Sequence, residues 1–163
     1  MITSKTSFIA LIGNPVSHSL SPIMQNAAFR YLGLDLIYIA IPCINEDLES
    51  VLDSLKKINC KGLNITIPYK EKVFDLCSEI SPVANKLKAI NTLKLNSEKE
   101  WSATNTDVDG FIYPLKALRL RNKQSIVLGS GGAARSVIQG LINLNFSTIS
   151  VVSRNKSSLK KLI

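Results

Sequence analysis

Cysteine is scarce in this sequence, and its placement excludes two classes of small protein. Cys43, Cys60 and Cys77 are odd in number and far apart in the chain. This spacing fits neither a disulfide framework nor a zinc site with closely spaced ligands. Isolated cysteines of this kind are usually structural and reduced, so we expect a cytoplasmic protein that holds no metal.

Long hydrophobic runs are also missing. No run approaches the roughly 18 apolar residues of a membrane span, and the apolar stretch from Phe8 to Ile12 is too short for the core of a signal peptide. We therefore expect a soluble protein with no membrane partner. Hydrophobic residues make up 45% of the chain and charged residues 20%, which is typical of a globular protein and argues against disorder.

Acidic residues are outnumbered by basic ones, and the formal net charge is +8. The basic residues are scattered rather than interleaved with aromatic residues, as they would be on many nucleic-acid-binding surfaces. We therefore expect no nucleic-acid partner, and a basic surface that favours anionic small molecules. A nucleic-acid-binding module is kept as a minor alternative.

Strand and helix patterns alternate along the first half of the chain. Apolar runs at 8–12 and 36–41 predict two strands, the second covered on both faces, and residues 48–58 have helical spacing. Ser21 as N-cap and Pro22 at the first helical position predict another helix, which ends at Gly33. This rhythm indicates an α/β layer with mainly parallel pairing.

The stretch from Gly62 to Lys70 alternates apolar and polar side chains. Leu63, Ile65 and Ile67 are predicted on the core face of a strand, and Asn64 and Thr66 on the other face. Two polar side chains on one face suit a small polyhydroxylated ligand. Pro68 ends the strand, residues 69–74 predict a helical turn, and Lys70 would project over the ligand face. The alternative is an edge strand followed by a solvated lysine.

Further polar residues stand at the ends of other predicted elements. Ser19 and Ser21 lie where a strand end meets a helix N-terminus, a position that favours anions. Ser21 has a structural role as a cap, and Ser19 has none that the sequence reveals. Asn91 heads the first strand of a predicted hairpin, and Asp107 begins a helix, where an N-cap is the competing interpretation.

A glycine-rich segment follows the strand predicted at 126–128, which we expect to be buried. Its residues match the G-x-G-x-x-A form of the dinucleotide-binding fingerprint: Gly129, Ser130, Gly131, Gly132, Ala133 and Ala134. The next strand ends in Ser153, Arg154 and Asn155, with no acid to hold a ribose 2′-hydroxyl. Arg154 suits a 2′-phosphate instead, and Lys156, Lys160 and Lys161 add positive charge. The sequence predicts NADP(H) as cofactor.

Taken together, these segments resemble the shikimate dehydrogenase family. Five motifs occur in the family's order and cover nearly the whole chain. They are the substrate loop at 13–22, the lysine motif at 64–70, the substrate asparagine motif at 91–93, the aspartate motif at 105–107 with Gly110, and the cofactor loop at 129–135.

The resemblance implies a role for each matched residue. Ser19 and Ser21 would bind the substrate carboxylate, Thr66, Asn91 and Asp107 would contact ring hydroxyls, and Lys70 with Asp107 would form the catalytic pair. The implied cofactor residues are Gly129, Ser130, Gly131, Gly132, Ala133, Ser153, Arg154 and Asn155. Reduction of a carbonyl leaves an alkoxide that must be stabilised and protonated, and a positioned ammonium can do both.

The resemblance also implies an architecture and a reaction. Residues 1–107 would form an α/β substrate domain, and 108–163 a connector helix with the first part of a Rossmann-type NADP-binding domain. Family members reduce 3-dehydroshikimate to shikimate with NADPH, a step toward chorismate and the aromatic amino acids. A homodimer is a candidate assembly, since the sequence does not decide the oligomeric state.

Two departures from the family pattern leave alternatives open. Residues 124–163 number only forty, whereas a complete domain needs ~100–150 residues, so we expect a C-terminally truncated chain that binds substrate weakly and does not turn it over. Ser153 stands where NADP-using members often carry asparagine. A quinate/shikimate dehydrogenase using NAD is the runner-up, and a non-catalytic sensor of shikimate-type acids is the alternative from another functional class.

Overall fold

The structure, a computed structural model, describes residues 2–58, 60–120 and 122–160. The chain forms two units, Met1–Ser81 with Ile90–Thr104, and Pro82–Ala89 with Asn105–Ile163. These bounds differ from the predicted 1–107 and 108–163 chiefly because Pro82–Ala89 belongs to the second unit. The substrate-binding and cofactor-binding roles of the two parts stay predictions.

The first unit is built on a six-stranded sheet in the order β2-β1-β3-β5-β6-β4. Strand β1 pairs in parallel with β2 and β3, and β5 runs antiparallel to both β3 and β6. This is the mainly parallel α/β layer that the sequence predicts. The elements are β1 Ser7–Gly13, α1 Ser21–Tyr31, β2 Leu36–Pro42, α2 Leu48–Lys57, β3 Gly62–Ile65, β4 Glu79–Ile80, β5 Thr92–Leu95 and β6 Trp101–Thr104, with short 3₁₀ turns at Asn45–Asp47 and Lys72–Leu76.

Both faces of β1 are covered, which explains its apolar run. Leu11 packs in a cluster with Val16, Phe29 and Tyr38. Successive side chains of a strand point to opposite faces, so Ala10 and Ile12, both fully buried, lie on the other face. The predicted strand at 8–12 is therefore confirmed as a central buried strand.

The second unit contains a parallel β-α-β arrangement. Strands β7 Gln124–Leu128 and β8 Thr148–Val152 pair in parallel, and α5 Gly132–Asn143 connects them. Val127, Ala134 and Leu141 form the core of this arrangement. The other elements are α3 Pro82–Leu87, α4 Asp107–Ile112, a 3₁₀ turn at Tyr113–Leu115 and α6 Lys156–Lys160. Among the described residues, no helix has both the length and the hydropathy needed to cross a bilayer.

Two predicted strands are less buried than expected. Strand β2 lies at the edge of its sheet, where Ile39 is exposed, so the expectation of cover on both faces is wrong. The prediction of a buried strand at 126–128 is also wrong in part. Ile126 is 70% exposed and Leu128 80% exposed, because the two-stranded sheet is covered on the face of Val127 alone.

The segment after β3 also differs from the prediction. The strand ends at Ile65 rather than running to Pro68, and Ile67 is exposed rather than on the core face. Residues 70 and 71 form a turn, and only a 3₁₀ helix follows at Lys72–Leu76. Lys70 therefore stands in a turn that is fixed by tertiary contacts, not in the first turn of an α-helix.

Candidate active site

The backbones of three predicted ligand residues lie near one another at the carboxyl end of β3 in the first unit. The Thr66 N–H donates to the Ile12 carbonyl at 2.9 Å, and the Ile65 N–H donates to the Asn91 carbonyl at 2.8 Å. The Ile90 N–H donates to the Lys70 carbonyl at 2.7 Å. Strand β5 begins where β3 ends, since Thr92 pairs with Asn64. The carboxyl end of β3 thus brings Thr66, Lys70 and Asn91 together, although they are up to 25 positions apart in the chain.

The turn that carries Lys70 is anchored by its neighbour Tyr69. Tyr69 is 1% exposed, and its hydroxyl donates to the Cys43 carbonyl. The Val73 N–H donates to the Tyr69 carbonyl at 3.1 Å. Burial raises the pKa of the Tyr69 phenol, so it stays a proton donor at neutral pH. These contacts hold the backbone of half-buried Lys70 in place.

The loop after β1 packs closely against the lysine motif. The Asn14 N–H donates to the Ile67 carbonyl at 3.0 Å. A Cβ atom added to Gly13 would lie 2.3 Å from Cγ2 of Thr66 and 2.9 Å from the Ile67 carbonyl oxygen. Only glycine allows this approach, which holds the predicted substrate loop beside Thr66.

The two serines of that loop have structural roles opposite to those predicted. Leu20, not Ser21, is the N-cap of α1, and no side chain forms a cap hydrogen bond there. The prediction of Ser21 as N-cap is therefore wrong. The Ser19 hydroxyl instead accepts a hydrogen bond from the Ser21 N–H at 3.2 Å. Ser19 supports the start of the helix, a role that the sequence did not reveal.

Asp107 begins α4 in the second unit, as predicted, but it does not act as a cap. Thr106 is the N-cap residue, and the Asp107 N–H donates to Oδ1 of Asn105 at 2.9 Å. Asn105 is 2% exposed, and its Nδ2 donates to the Ala89 carbonyl at 3.0 Å. Asn105 thus fixes the backbone that presents Asp107. Because Lys70 and Asp107 belong to different units, their action as a pair stays a prediction.

The glycine-rich loop of the second unit has the features of a phosphate site. Gly129 has φ +120°, which favours glycine, and Gly131 is the N-cap of the twelve-residue helix α5. A Cβ at either glycine would meet no atom within 4 Å, so the space beside the loop is open. The first turn of α5 contains no acidic residue, which leaves the positive end of the helix available to an anion.

The end of β8 adds polar side chains next to this glycine-rich loop. The hydroxyls of Ser130 and Ser153 are 2.6 Å apart, a hydrogen bond that joins the glycine loop to the next strand end. An open cavity of about 540 Å³ is lined by Leu128, Gly129 and Val152–Asn155, with the exposed Arg154 at its edge. An open glycine loop, a helix N-terminus and a guanidinium fit a dinucleotide with a 2′-phosphate.

Two of the predicted cofactor residues also have structural roles. Oδ1 of Asn155 accepts hydrogen bonds from the Ser157 and Ser158 N–H groups at 3.0 and 3.1 Å, so Asn155 caps α6. Ser153 bonds to Ser130, which explains a serine at this position. Lys161, predicted to add positive charge, lies outside the described residues. Among the described residues, no cluster of three or more His, Cys, Asp or Glu side chains could hold a metal ion.

Comparison with known proteins connects these residues to one family. The family profile of the shikimate dehydrogenase substrate binding domain matches residues 11–93. The chain is 88% identical, over its whole length, to the shikimate dehydrogenase (NADP(+)) of Prochlorococcus marinus strain MIT 9312. The match covers 57% of that relative, so the chain spans little more than half the length of the curated relatives it matches.

Solved structures show the same similarity. The shikimate dehydrogenase of Aquifex aeolicus matches with a TM-score of 0.93 and 36% identity, over 99% of this chain and 61% of the other. Shikimate 5-dehydrogenase of Thermus thermophilus, solved in complex with NADP(H) and shikimate, matches with a TM-score of 0.86 and 33% identity, over 96% of this chain and 59% of the other.

Proposed function

The chain belongs to the shikimate dehydrogenase family, since the substrate-binding domain profile matches just over half of it, and from this we propose that the whole protein is an NADP-dependent shikimate dehydrogenase. It reversibly reduces 3-dehydroshikimate to shikimate. The observation that carries this proposal is the meeting of Thr66, Lys70 and Asn91 at the carboxyl end of β3, because one cation and two hydrogen-bonding side chains suit an acid that carries ring hydroxyls. Three free cysteines support a cytoplasmic setting.

The substrate residues divide by chemistry. Ser19 and Ser21, at the start of α1, hold the carboxylate through hydroxyl donors and the positive end of the helix. Thr66 and Asn91 hydrogen-bond ring hydroxyls, and Gly13 keeps the serine loop close to Thr66. Asp107 contacts a further hydroxyl, and its backbone is held by Asn105.

Lys70 acts on the reacting oxygen. In the direction of reduction, its ammonium stabilises the developing alkoxide and donates a proton to it, and in the reverse direction the amine accepts that proton. Asp107 balances the ammonium charge and orients the neighbouring hydroxyl. The NADP(H) bound in the second unit would supply and accept the hydride. Gly129, Ser130, Gly131, Gly132 and Ala133 would hold its pyrophosphate, and Ser153, Arg154 and Asn155 its adenosine 2′-phosphate.

The test is steady-state kinetics of shikimate oxidation by the whole protein. Lys70→Met keeps the length of the side chain and removes its proton-transferring amine, so we expect kcat to fall about 10²- to 10⁴-fold with a much smaller change in KM. Lys72→Met is the matched control, because Lys72 is an exposed neighbour that bonds to Asn45, and it should keep wild-type rates. Near-normal turnover by Lys70→Met would refute the catalytic assignment.

The same assay decides the cofactor and the substrate. Arg154 at the edge of the cavity favours the 2′-phosphate of NADP, so Arg154→Ala should raise the KM for NADP⁺ more than the KM for NAD⁺. Faster oxidation of quinate with NAD⁺ than of shikimate with NADP⁺ would favour a quinate/shikimate dehydrogenase instead.

A further inference from the structure

A partly buried chain of hydrogen bonds crosses the first unit behind Asn91. The Tyr38 hydroxyl donates to Oδ1 of Asn64 at 2.7 Å. Nδ2 of Asn64 donates to the Asn91 carbonyl at 3.4 Å and to Oγ1 of Thr92 at 3.3 Å. Oγ1 of Thr92 then donates to Oδ1 of Asn91 at 2.9 Å. The chain starts on β2, passes through β3 and ends at the head of β5.

The donor and acceptor of each hydrogen bond in this network follow from the chemistry of the groups that form it. A backbone carbonyl can only accept, so the bond to the Asn91 carbonyl identifies Nδ2 of Asn64 and fixes its amide orientation. Thr92 accepts from that same NH₂ group, so its single hydroxyl proton is available for Oδ1 of Asn91. Every donor therefore points toward Asn91, and aligned hydrogen bonds polarise one another.

The first member of the chain is held rigidly. The Tyr38 N–H donates to Oδ1 of Asn26 at 2.9 Å, and Nδ2 of Asn26 donates to the Tyr38 carbonyl at 2.8 Å. Tyr38 is 3% exposed, and burial raises its pKa to about 12. The phenol therefore keeps its proton at neutral pH and remains a donor to Asn64.

We propose that Tyr38, Asn64 and Thr92 are positioning residues that fix the Asn91 amide with its oxygen toward Thr92 and its NH₂ group as the ligand-binding donor. This deepens the proposed function and rests on it for the identity of the ligand. Asn91 then recognises a ring hydroxyl through that hydroxyl's acceptor oxygen. Loss of the Thr92 hydroxyl removes the hydrogen bond that points the Asn91 amide oxygen toward β5, so the NH₂ group is presented to the ligand less consistently.

The binding test is calorimetric titration of the 163-residue chain with shikimate. Thr92→Val removes the hydroxyl at nearly constant shape, and we expect the Kd to rise about 3- to 10-fold, the effect of one hydrogen bond. Thr92→Ser keeps the hydroxyl and should restore wild-type affinity. Thr104→Val is the matched control, because Thr104 pairs with Thr92 across the sheet and its hydroxyl bonds to Ser81 instead. Equal affinity of Thr92→Val and wild type would overturn the proposal.

Shikimate analogues that each lack one ring hydroxyl separate positioning from simple loss of structure. The Thr92→Val effect should vanish for the single analogue that lacks the hydroxyl held by Asn91, and persist for the others. The same fold-change for every analogue would show a merely structural role and contradict the proposal.

A second measurement does not depend on the ligand. In ¹H–¹⁵N spectra of the ligand-free protein, Tyr38→Phe should shift the side-chain NH₂ signals of both Asn64 and Asn91, because the perturbation passes along the hydrogen-bond network. Tyr31→Phe, at a 91% exposed position, should shift neither. Failure of the wild-type 163-residue chain to bind shikimate would contradict the substrate site at the carboxyl end of β3, whereas unchanged Asn91 signals in Tyr38→Phe would refute the hydrogen-bond network itself.

Discussion

The two sheets of this protein have similar strand sequences but differ in how they bury them. In the first unit, β1 lies between β2 and β3, and its residues Ala10, Leu11 and Ile12 are buried on both faces. In the second unit, the apolar strand β7 buries Val127, while Ile126 and Leu128 are exposed. An apolar run therefore predicts a strand in both cases, but the number of neighbouring strands and helices decides how much of the run is buried.

The same contrast applies to the two candidate sites. The proposed substrate residues Thr66, Lys70 and Asn91 come from distant positions and are assembled by strand pairing and backbone hydrogen bonds. The proposed cofactor residues lie in two short segments, a loop and a strand end, which the Ser130–Ser153 hydrogen bond joins. We expect truncation of a side chain at a buried position of the first unit to lower stability more than the same truncation at an exposed position of β7.

The largest difference should come from truncating the same side chain in each sheet. Ile65 on β3 is 2% exposed and Ile126 on β7 is 70% exposed. We expect Ile65→Ala to lower the unfolding free energy of the first unit by about 2–5 kcal/mol, because it leaves a cavity. Ile126→Ala should change the second unit by less than about 0.5 kcal/mol.

Amide hydrogen exchange, resolved by residue, checks this prediction because it reports each unit separately. The strand amides of β1 and β3 should lose protection in Ile65→Ala, and those of β7 and β8 should keep it in Ile126→Ala. Equal losses in the two variants would mean that the exposed face of β7 contributes as much to stability as the core of the first unit.

Glycine substitution should give the next largest difference. A Cβ at Gly13 would be 2.3 Å from Cγ2 of Thr66, whereas a Cβ at Gly131 would meet nothing within 4 Å. Gly13→Ala should destabilise the first unit by about 1–3 kcal/mol through overpacking. Gly131 has φ −85°, which alanine adopts readily, so Gly131→Ala should be nearly neutral for stability.

Fluorescence of the single tryptophan measures the first of these effects, because Trp101 is buried in the first unit. The denaturant concentration at the midpoint of unfolding, followed by Trp101 fluorescence, should fall in Gly13→Ala and stay unchanged in Gly131→Ala. A wild-type midpoint in Gly13→Ala would show that the serine loop moves away from Thr66 at no cost.

The third effect is a pH dependence in the first unit, which appears only at alkaline pH. Burial raises the pKa of Tyr38 from 10.0 to about 12, so the folded state holds the phenol proton more tightly than the unfolded state. The resulting stabilisation is complete below pH 10 and is lost as the pH rises toward 12. At about 1.4 kcal/mol per pKa unit, it amounts to at most roughly 2–3 kcal/mol.

The Trp101 unfolding midpoint, measured from pH 9 to 12, tests this linkage. Tyr38→Phe should flatten the decline above pH 10, and Tyr31→Phe, which alters an exposed phenol in the same unit, should not. An identical decline in wild type and Tyr38→Phe would assign the alkaline instability to other groups.

Sequence periodicity predicted most elements because local patterns determine them. The strand at 8–12 and the helix after the glycine loop occur where predicted, and the predicted hairpin forms with its first strand starting at Thr92, one residue after Asn91. What the sequence could not supply is tertiary structure: β2 lies at the edge of its sheet, and residues 70 and 71 form a turn next to the buried Tyr69. No local pattern encodes which strand lies at the edge of a sheet.

The candidate site shows the same division. Motif spacing identified Lys70, Asn91 and Asp107, but the residues that support them were missed. Tyr38 appeared as one member of an apolar run, and its bond to Asn64 depends on strand order. Asn105 belongs to the aspartate motif. An asparagine two residues before Asp107 is the sequence signal that could have shown the positioning role of Asn105.

The central claim is that the first unit holds shikimate at the carboxyl end of β3, and residue-resolved NMR titration of the 163-residue chain with shikimate tests it most directly. We expect saturable shifts of backbone amides at Ser19, Ser21, Thr66, Lys70 and Asn91, and none at the exposed strand β7. The absence of saturable shifts, or shifts centred away from these residues, would contradict the account.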